Sequence, residues 1–199
     1  MSVTIGLTGS IATGKSTISS MFSDYDIPVI DADKISREVV EPGQEAYIKI
    51  VDHFGKGILN LDNTLNRAKL GDLIFTNDDK REQLNNIIHP AIRKEMLHQR
   101  DDLIKKNYKC VVLDIPLLFE SGLTHFIDKV IVVYVDEKVQ LERLMARNKY
   151  SQEEALKRIR SQMPVKEKAQ LADGVINNNG SKYESKVQLE ELLTKWNII

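Results

Sequence analysis

The stretch that decides the fold is VTIGLTGSIATGKST, residues 3–17. Its apolar start, 3–7, has the composition of a buried strand, and the residues from Lys15 onward have that of a helix. Between them lies the pattern G-x-x-x-x-G-K-S at Gly9–Ser16. Glycines allow backbone N–H groups to approach phosphate oxygens closely, and the following helix directs its positive end at the same anion. The stretch therefore predicts a strand, a phosphate-binding loop and a helix in succession.

We call Gly9–Ser16 the phosphate loop. Two of its side chains are expected to contact the bound phosphates and their metal ion. The pattern predicts that Lys15 contacts the outer phosphates as a point charge and that the Ser16 hydroxyl is a ligand of Mg²⁺. The alternative is a glycine-rich turn that binds nothing. The position between a strand and a helix favours the phosphate site.

Composition narrows the class of protein. The 199 residues suit one domain with modest insertions, and a formal net charge of -1 gives no reason to expect a nucleic-acid or membrane partner. The single cysteine, Cys110, excludes an intrachain disulfide and opens an apolar run in which a buried thiol is expected. Without a signal peptide or a long apolar stretch, a cytoplasmic protein is expected, and nothing indicates an obligate protein partner.

The rest of the chain alternates short apolar runs with amphipathic stretches, which is typical of a parallel sheet flanked by helices. Strands are predicted at 3–7, 28–30, 110–114, 129–135 and 174–176. Helices are predicted at 15–22, 44–54, 67–75, 79–88, 90–106 and 137–147, with another from Ser151 that stops before Pro164 and a last one closing the chain. Pro90 is expected in the first turn of its helix. The pattern predicts an α/β fold, a five-stranded parallel core with a helical insertion and a two-helix flap.

A phosphate loop alone also fits a GTPase switch or a motor ATPase. GTPases carry D-x-x-G and N-K-x-D motifs, and the nearest matches are DIPL at 114–117 and NKYS at 148–151. The first lacks its glycine and the second lacks its aspartate. A small-molecule kinase is therefore favoured, and it needs an acid near the acceptor hydroxyl, an acceptor pocket and arginines for the transferring phosphoryl group.

The acids Asp31 and Asp33 follow the second strand, at the edge where open α/β sheets bind ligands. In an extended segment, alternation places both carboxylates on one side. One could then steer Mg²⁺ or a lysine while the other accepts the acceptor's proton. The structural alternative makes Asp33 the N-cap of a helix at 34–40 and Asp31 a turn residue.

A third acid, Asp114, ends an apolar run as a Walker B acid does, and it could hold Mg²⁺ through water. The loop at 116–120 places apolar groups at the same edge, where they could wall an acceptor pocket. A turn role for Asp114 and core packing for the loop are the alternatives.

Basic residues follow at two places. Arg143 and Arg147 are four residues apart on a predicted helix, a spacing of like charges that costs roughly 0.2–0.5 kcal/mol unless an anion lies between them. Arg158 could approach the same site or pair with Glu154. His89 and Arg93 lie in the helical insertion, where a packed or solvated histidine is the competing interpretation.

Six segments of the chain together resemble the dephospho-CoA kinase family, nearly end to end. They are IGLTGSIATGKST at 5–17, VIDADKISREVVEPG at 29–43, LNNIIHPAIR at 84–93, DIPLLFESGL at 114–123, LERLMARN with RIRSQMP at 141–164, and ADGVINNNG at 172–180. The resemblance implies a nucleotide-kinase-like core (1–33, 109–136 and 166–199), a helical CoA-binding insertion (34–108) and a lid (137–165). It implies ATP-dependent phosphorylation of the ribose 3'-hydroxyl of dephospho-CoA, with Mg²⁺.

The resemblance also assigns roles to residues. It implies Asp33 as general base and Lys15, Arg143 and Arg147 as further catalytic residues. The remaining roles it implies are ATP phosphate binding by Gly9, Ala12, Thr13, Gly14, Lys15, Ser16 and Thr17; adenine contacts by Asn178 and Gly180; acceptor contacts by Asp33, His89 and Arg93; and metal binding by Ser16. Acceptor contacts by Leu117 and Glu120 are expected from their place in the loop at 116–120, and metal binding by Asp114 from its place at the end of a strand, since an acid there is not a fixture of the family. At 177 the family often has Asp where this chain has Asn177. A related nucleoside or nucleotide kinase is the alternative enzyme, and a P-loop nucleotide switch is the alternative from another class.

Overall fold

Five apolar segments pair into one sheet in the computed structural model, which describes residues 2–75 and 77–199. The strands are β1 Val3–Gly9, β2 Val29–Asp31, β3 Cys110–Asp114, β4 Lys129–Tyr134 and β5 Gly174–Asn177. Their order is β2-β3-β1-β4-β5, and β1 runs parallel to both of its neighbours, as β4 does to β5. The predicted five-stranded parallel α/β fold is confirmed.

The strand that carries the phosphate loop occupies the middle of this sheet. Leu7 pairs with Asp114 on one side, and Gly9 pairs with Val133 on the other. Because parallel strands end at the same edge, the loop, the end of β3 and the end of β5 all lie at the carboxyl edge, where open α/β sheets bind ligands.

Helices account for most of the remaining chain. In the described residues they are α1 Lys15–Met21, α2 Ala32–Glu38, α3 Glu45–Phe54, α4 Arg67–Phe75, α5 Asp78–Lys105, α6 Glu137–Asn148, α7 Gln152–Arg160, α8 Val165–Gln170 and α9 Lys182–Lys195. Short 3-10 turns lie at Phe22–Tyr25, Lys56–Ile58 and Leu123–Phe126. Across the described ranges, none of these helices combines the length and the apolar character needed to cross a membrane.

The sheet is the centre of the main apolar core. Its buried members are Ile5, Leu7, Ile18, Phe22, Ile27, Cys110, Val112, Ile131, Val133, Ile176, Leu189 and Leu193. Both faces of β3 are buried along its whole length, which explains its continuous apolar sequence. The thiol of Cys110 is buried as predicted, and burial, with the nearby Asp128 carboxylate as a smaller cause, raises its pKa to about 12.

The chain divides into two compact units. The first comprises Met1–Ile30 and Asp102–Ile199, and the second is Asp31–Asp101. The second unit holds α2, α3, α4 and α5 as far as Asp101, together with one isolated bridge between Leu59 and Leu65.

The prediction of two helices around Pro90 is wrong. A single 28-residue helix, α5, runs through this position with Pro90 in its interior. A proline lacks the N–H that would bond to the carbonyl four residues earlier, and its ring crowds that carbonyl, so other contacts must offset this cost. Leu84, before Pro90, and Met96, after it, are both buried, and their packing supports one continuous helix. The sequence around Pro90 does not reveal this packing.

The predicted placement of Asp31 and Asp33 on one side of an extended segment is also wrong. The strand ends at Asp31, whose carboxylate caps α2 by accepting from the N–H groups of Asp33 and Lys34. Asp33 therefore lies in the first helical turn and is not the N-cap that the structural alternative assumed. A cap two residues earlier turns the chain before strand alternation can apply.

Candidate nucleotide-binding site

The phosphate loop has the backbone shape that its sequence predicts. Ala12 and Gly14 both adopt the left-handed conformation, with φ of 61° and 88°. Gly14 is the N-cap of α1, and the N–H groups of Thr17 and Ile18 bond to its carbonyl. Left-handed residues of this kind occur in the backbone concavities that bind anions through N–H groups.

Glycine is required at position 14 for a second reason. A Cβ placed on Gly14 would collide with the Nδ2 atom of Asn178. Asn178 is buried at the end of β5, so it cannot swing aside into solvent. Position 14 therefore combines a backbone conformation that favours glycine with contact space that admits no side chain.

Asn178 holds the centre of the phosphate loop. Its Nδ2 donates to the carbonyl of Thr13 at 2.8 Å, and its Oδ1 accepts from the Ser185 hydroxyl at 2.8 Å. The Thr13 side chain is fully buried and donates to the carbonyl of Ser10. Because a trans peptide is planar, fixing the Thr13 carbonyl also points the Gly14 N–H in the opposite direction. The side chain of Asn178 is thus engaged with the loop, and only the backbone of this residue is left for the predicted adenine contact.

The peptide groups of Ile11 are bound by two glutamines that sequence analysis missed. Gln140 Nε2 donates to the Ile11 carbonyl at 2.7 Å, and the Ile11 N–H donates to Gln162 Oε1 at 2.8 Å. Gln140 is buried at the start of α6, and Gln162 follows α7. The sequence around each glutamine does not indicate this role, because Ile11 is 129 residues from Gln140 and 151 residues from Gln162 along the chain.

An apolar cluster joins the loop to the predicted lid, which we call the lid segment (137–165). Its buried members are Leu144, Ala155 and Ile159, and Ile11 and Ala12 pack against them. The helix α7 in this segment begins with the predicted capping box between Ser151 and Glu154. Hydrogen bonds from Ser151 hold the pKa of the Glu154 carboxyl below its usual value.

Lys15 and Asp114 form an ion pair at the carboxyl edge of the sheet. Asp114 is buried, while the Lys15 side chain keeps 19% of its surface exposed. A buried carboxylate needs such a partner, and the pair fixes the lysine beside the end of β3. The predicted acid of the Walker B position therefore contacts the loop lysine directly.

The two predicted lid arginines line one cavity with the phosphate loop. This cavity, of about 530 Å³, is bounded by Ala12, Gly14, Ser16, Arg143, Ala146 and Arg147. Arg143 Nη2 donates to the Asn178 carbonyl at 2.9 Å, which sets its position, whereas Arg147 is exposed and bonds to the side chain of Asn148. Two cations beside the backbone of the phosphate loop form a pocket suited to an anion. The guanidinium of Arg158 instead lies over the Tyr150 ring, 4.4 Å from its centroid.

The wall of this cavity includes a candidate ligand for the expected Mg²⁺. In the two described ranges, no group of three or more His, Cys, Asp or Glu side chains could hold an ion by itself. Mg²⁺ with a nucleotide commonly takes few protein ligands, since phosphate oxygens and water complete its shell. The exposed Ser16 hydroxyl on the cavity wall fits that requirement.

The end of β5 is ordered by a local network. Gln188 bonds to both backbone groups of Asn177, and the Asn177 side chain accepts from the N–H of Asn179. Gly180 precedes a second capping box, and an added Cβ there would collide with the Glu184 carboxylate. The chain thus leaves the sheet edge in a fixed turn, with the amide of Asn177 used inside that turn.

The predicted acceptor residues are divided between the units. In the first unit, Leu117 is 44% exposed, whereas Glu120 Oε1 is bonded to Lys168 at 2.8 Å and to the N–H of Met163. In the second unit, Asp33 is exposed on α2, and His89 and Arg93 are exposed one turn apart on α5.

The sheet order, the strand–loop–helix unit and the arginine-lined cavity define a P-loop protein of the kinase type. The family model for dephospho-CoA kinase (CoaE) matches residues 3–184. This chain belongs to the dephospho-CoA kinase family.

Relatives and solved structures agree with this family. The chain is 60% identical to the dephospho-CoA kinase of Oceanobacillus iheyensis over 198 residues, and 58% identical to that of Bacillus cereus over 199, covering 100% of both chains in each case. The structure of dephospho-CoA kinase from Campylobacter jejuni superimposes with a TM-score of 0.76 at 34% identity, covering 98% of each chain. The resemblance found from sequence is confirmed.

Proposed function

We propose that this chain transfers the γ-phosphoryl group of ATP to the ribose 3'-hydroxyl of dephospho-CoA, giving CoA and ADP, the final step of CoA synthesis. The observation that carries the proposal is the cavity in which Arg143 and Arg147 lie beside Gly14 and Ser16, in a chain of this family. This cavity brings two cations beside the backbone of the phosphate loop, which supports the binding of one anionic ligand there.

The triphosphate is held by the phosphate loop. Its backbone N–H groups bind the phosphate oxygens, and Lys15 adds a positive charge that the ion pair with Asp114 places at the sheet edge. The Ser16 hydroxyl would hold Mg²⁺, with Asp114 acting at most through water, and the ion would supply positive charge that offsets the charge of the phosphates. The backbone of the turn at Asn178–Gly180 contacts the adenine.

The transfer itself is a displacement at phosphorus. The 3'-oxygen of the acceptor forms a bond to the γ-phosphorus, the bond to the β-γ bridging oxygen breaks, and the Asp33 carboxylate takes the hydroxyl proton. Arg143 and Arg147 stabilise the charge on the transferring group. Most of the rate enhancement comes from alignment and charge stabilisation, and proton transfer contributes a smaller share.

The acceptor is bound by the helical insertion and the loop after β3. Arg93 supplies a cation for the acceptor's phosphates, His89 lies one helical turn before it, and the exposed Leu117 contributes apolar surface. Residues 34–108 thus form the acceptor-binding part and residues 137–165 the lid. The cytoplasmic location expected from composition stays a prediction.

A coupled assay tests the proposal. Wild-type protein is offered ATP and Mg²⁺ with dephospho-CoA, and in parallel with a panel of nucleosides and nucleoside monophosphates. CoA formation with dephospho-CoA as the preferred acceptor is expected. Brisk phosphorylation of a nucleoside monophosphate without CoA formation would support the alternative enzyme, and slow hydrolysis without any acceptor would support the switch.

The two neighbouring acids allow a matched test of the base. Asp33→Asn should bind ATP normally and lose turnover by about 10²–10⁴-fold, the usual contribution of a general base. Asp31→Asn is the control, because asparagine caps a helix as well as aspartate does. Near-normal turnover of Asp33→Asn would reject Asp33 as the base.

A further inference from the structure

One buried charge of the first unit takes no part in the reaction described above. Lys168 lies on α8, a helix that the sequence did not predict, and its side chain has no exposed surface. Its ammonium donates to Glu120 Oε1 at 2.8 Å, to the Pro116 carbonyl at 3.2 Å and to the Gly9 carbonyl at 3.4 Å. A lysine has three N–H donors, and each has an acceptor here.

These acceptors belong to the two segments that flank the site. Gly9 is the last residue of β1 and the first of the phosphate loop. Pro116 and Glu120 begin and end the loop after β3, which we call the β3 loop (116–120). The Thr8 hydroxyl also donates to the Pro116 carbonyl, at 3.0 Å. One ammonium therefore ties the start of the phosphate loop to both ends of the β3 loop.

Glu120 connects the same ammonium to the lid segment. Its Oε1 also accepts from the N–H of Met163, at 3.1 Å. Met163 follows Gln162, whose side chain binds the N–H of Ile11, and its own carbonyl accepts from the Ser10 hydroxyl. The end of the lid segment thus reaches the phosphate loop both directly and through Glu120 and Lys168.

The energetics indicate that this cation has a geometric role. Full burial excludes direct contact between Lys168 and the substrates. A buried ion pair is seldom a better source of stability than apolar side chains of the same volume, because desolvation offsets the attraction. An ion pair differs from apolar side chains because it fixes the direction of every group that is bonded to it.

We propose that Lys168 is a positioning residue for phosphoryl transfer, which sets the phosphate loop against the β3 loop, and that Glu120 acts through Lys168 and not on the acceptor. This assignment replaces the acceptor contact that was expected for Glu120 from its place in the sequence. It rests on the proposed function, because the β3 loop is taken as part of the acceptor site.

The test compares Lys168→Met, Glu120→Gln and the double variant with wild type. Lys166→Met is the matched control, since Lys166 is exposed on the same short helix. Each variant is measured for unfolding in urea, for ATP affinity by calorimetry without acceptor, and for kcat and both KM values with dephospho-CoA.

Lys168→Met is expected to lower kcat on the order of 10²-fold, the effect of a misplacement of about 1 Å in a reacting geometry. ATP affinity should fall as well, because the Gly9 carbonyl loses its donor. Adding Glu120→Gln to Lys168→Met should cause no further loss, since residues that act as one unit are not additive. Lys166→Met should match wild type.

Three results would overturn the inference. The first is a folded Lys168→Met whose kcat lies within about threefold of wild type, which indicates a purely structural role. The second is a Glu120→Gln that raises the acceptor KM equally with and without Lys168, which indicates direct acceptor binding. If Lys168→Met fails to fold, the test depends on Glu120→Gln, whose amide oxygen can still accept from the Met163 N–H. The third contradicting result is a Glu120→Gln variant with unchanged kcat and unchanged ATP affinity. Wild-type protein that makes no CoA but binds ATP contradicts the proposed function instead.

Discussion

Asn178→Ala is the perturbation that examines the phosphate loop most directly. The wild-type side chain donates to the Thr13 carbonyl and accepts from the Ser185 hydroxyl, each at 2.8 Å, in a buried position. Alanine removes both bonds. The Ser185 hydroxyl keeps an alternative acceptor in the Ser181 carbonyl at 3.3 Å, so that the Thr13 carbonyl is the group that loses its donor.

The expected loss of stability follows from the unequal effect on the two partners of Asn178, because the Ser185 hydroxyl keeps an acceptor whereas the Thr13 carbonyl loses its donor. A buried carbonyl left without a donor costs about 1–3 kcal/mol, and the second neutral bond contributes about 1 kcal/mol, less what Ser181 recovers. We expect the free energy of unfolding to fall by about 2–3 kcal/mol. Since the Thr13 carbonyl also orients the Gly14 N–H, ATP affinity should fall about tenfold, which corresponds to about 1.4 kcal/mol.

Two assays measure these effects separately. Urea unfolding can be followed through Trp196, the single tryptophan, which packs partly buried against the main core. ATP affinity is measured by calorimetry on the folded protein. Asn86→Ala, an exposed substitution on α5, is the matched control and should change neither quantity.

The reasoning fails if Asn178→Ala unfolds within about 0.5 kcal/mol of wild type, the range of ordinary surface substitutions. It also fails in part if stability falls as expected while ATP affinity is unchanged. That second result would mean that the carbonyl bond supports the fold without orienting the phosphate-binding N–H.

Four further predictions concern other parts of the chain. Gly14→Ala should abolish ATP binding in calorimetry, because the left-handed φ and the contact with Asn178 both oppose a Cβ; retained affinity would contradict this. Ser181→Ala should lower stability in urea by about 1 kcal/mol at neutral pH. The pKa of the Glu184 carboxyl is lowered from its usual 4.5 by the Ser181 N–H first and by the Ser181 hydroxyl second, so the hydroxyl's share of this effect is present above the usual value and is lost as the pH falls through the lowered one; a difference from wild type that does not change with pH would argue against this share. The thiol of Cys110, whose pKa burial raises to about 12, should react with a thiol reagent only in urea, and fast labelling of native protein would exclude its burial. Pro90→Ala should raise the thermal midpoint, because proline inside a helix costs about 3 kcal/mol relative to alanine; a lowered midpoint would show that α5 needs the proline.

Sequence patterns predicted the elements well wherever a local signal existed. The phosphate loop, the strand at Cys110–Asp114 and the capping box at Ser151 are each defined by neighbouring residues, and each was found. The errors also arose locally: Pro90 was given its commonest helical position, and alternation was extended past Asp31. In both cases packing or a cap outweighed the local preference.

Long-range partners set the remaining features of the site. The local pattern at Gly9–Ser16 predicted a site for a nucleotide's phosphates, and the resemblance of six segments predicted the acceptor. Only the tertiary structure gave Asn178, Gln140 and Lys168 their roles, because their partners in the loop lie 165, 129 and 159 residues away along the chain. A hydrogen bond depends on distance and direction in space, so polar residues with no periodic pattern and no motif acquire these functions only when the sheet order brings the segments together.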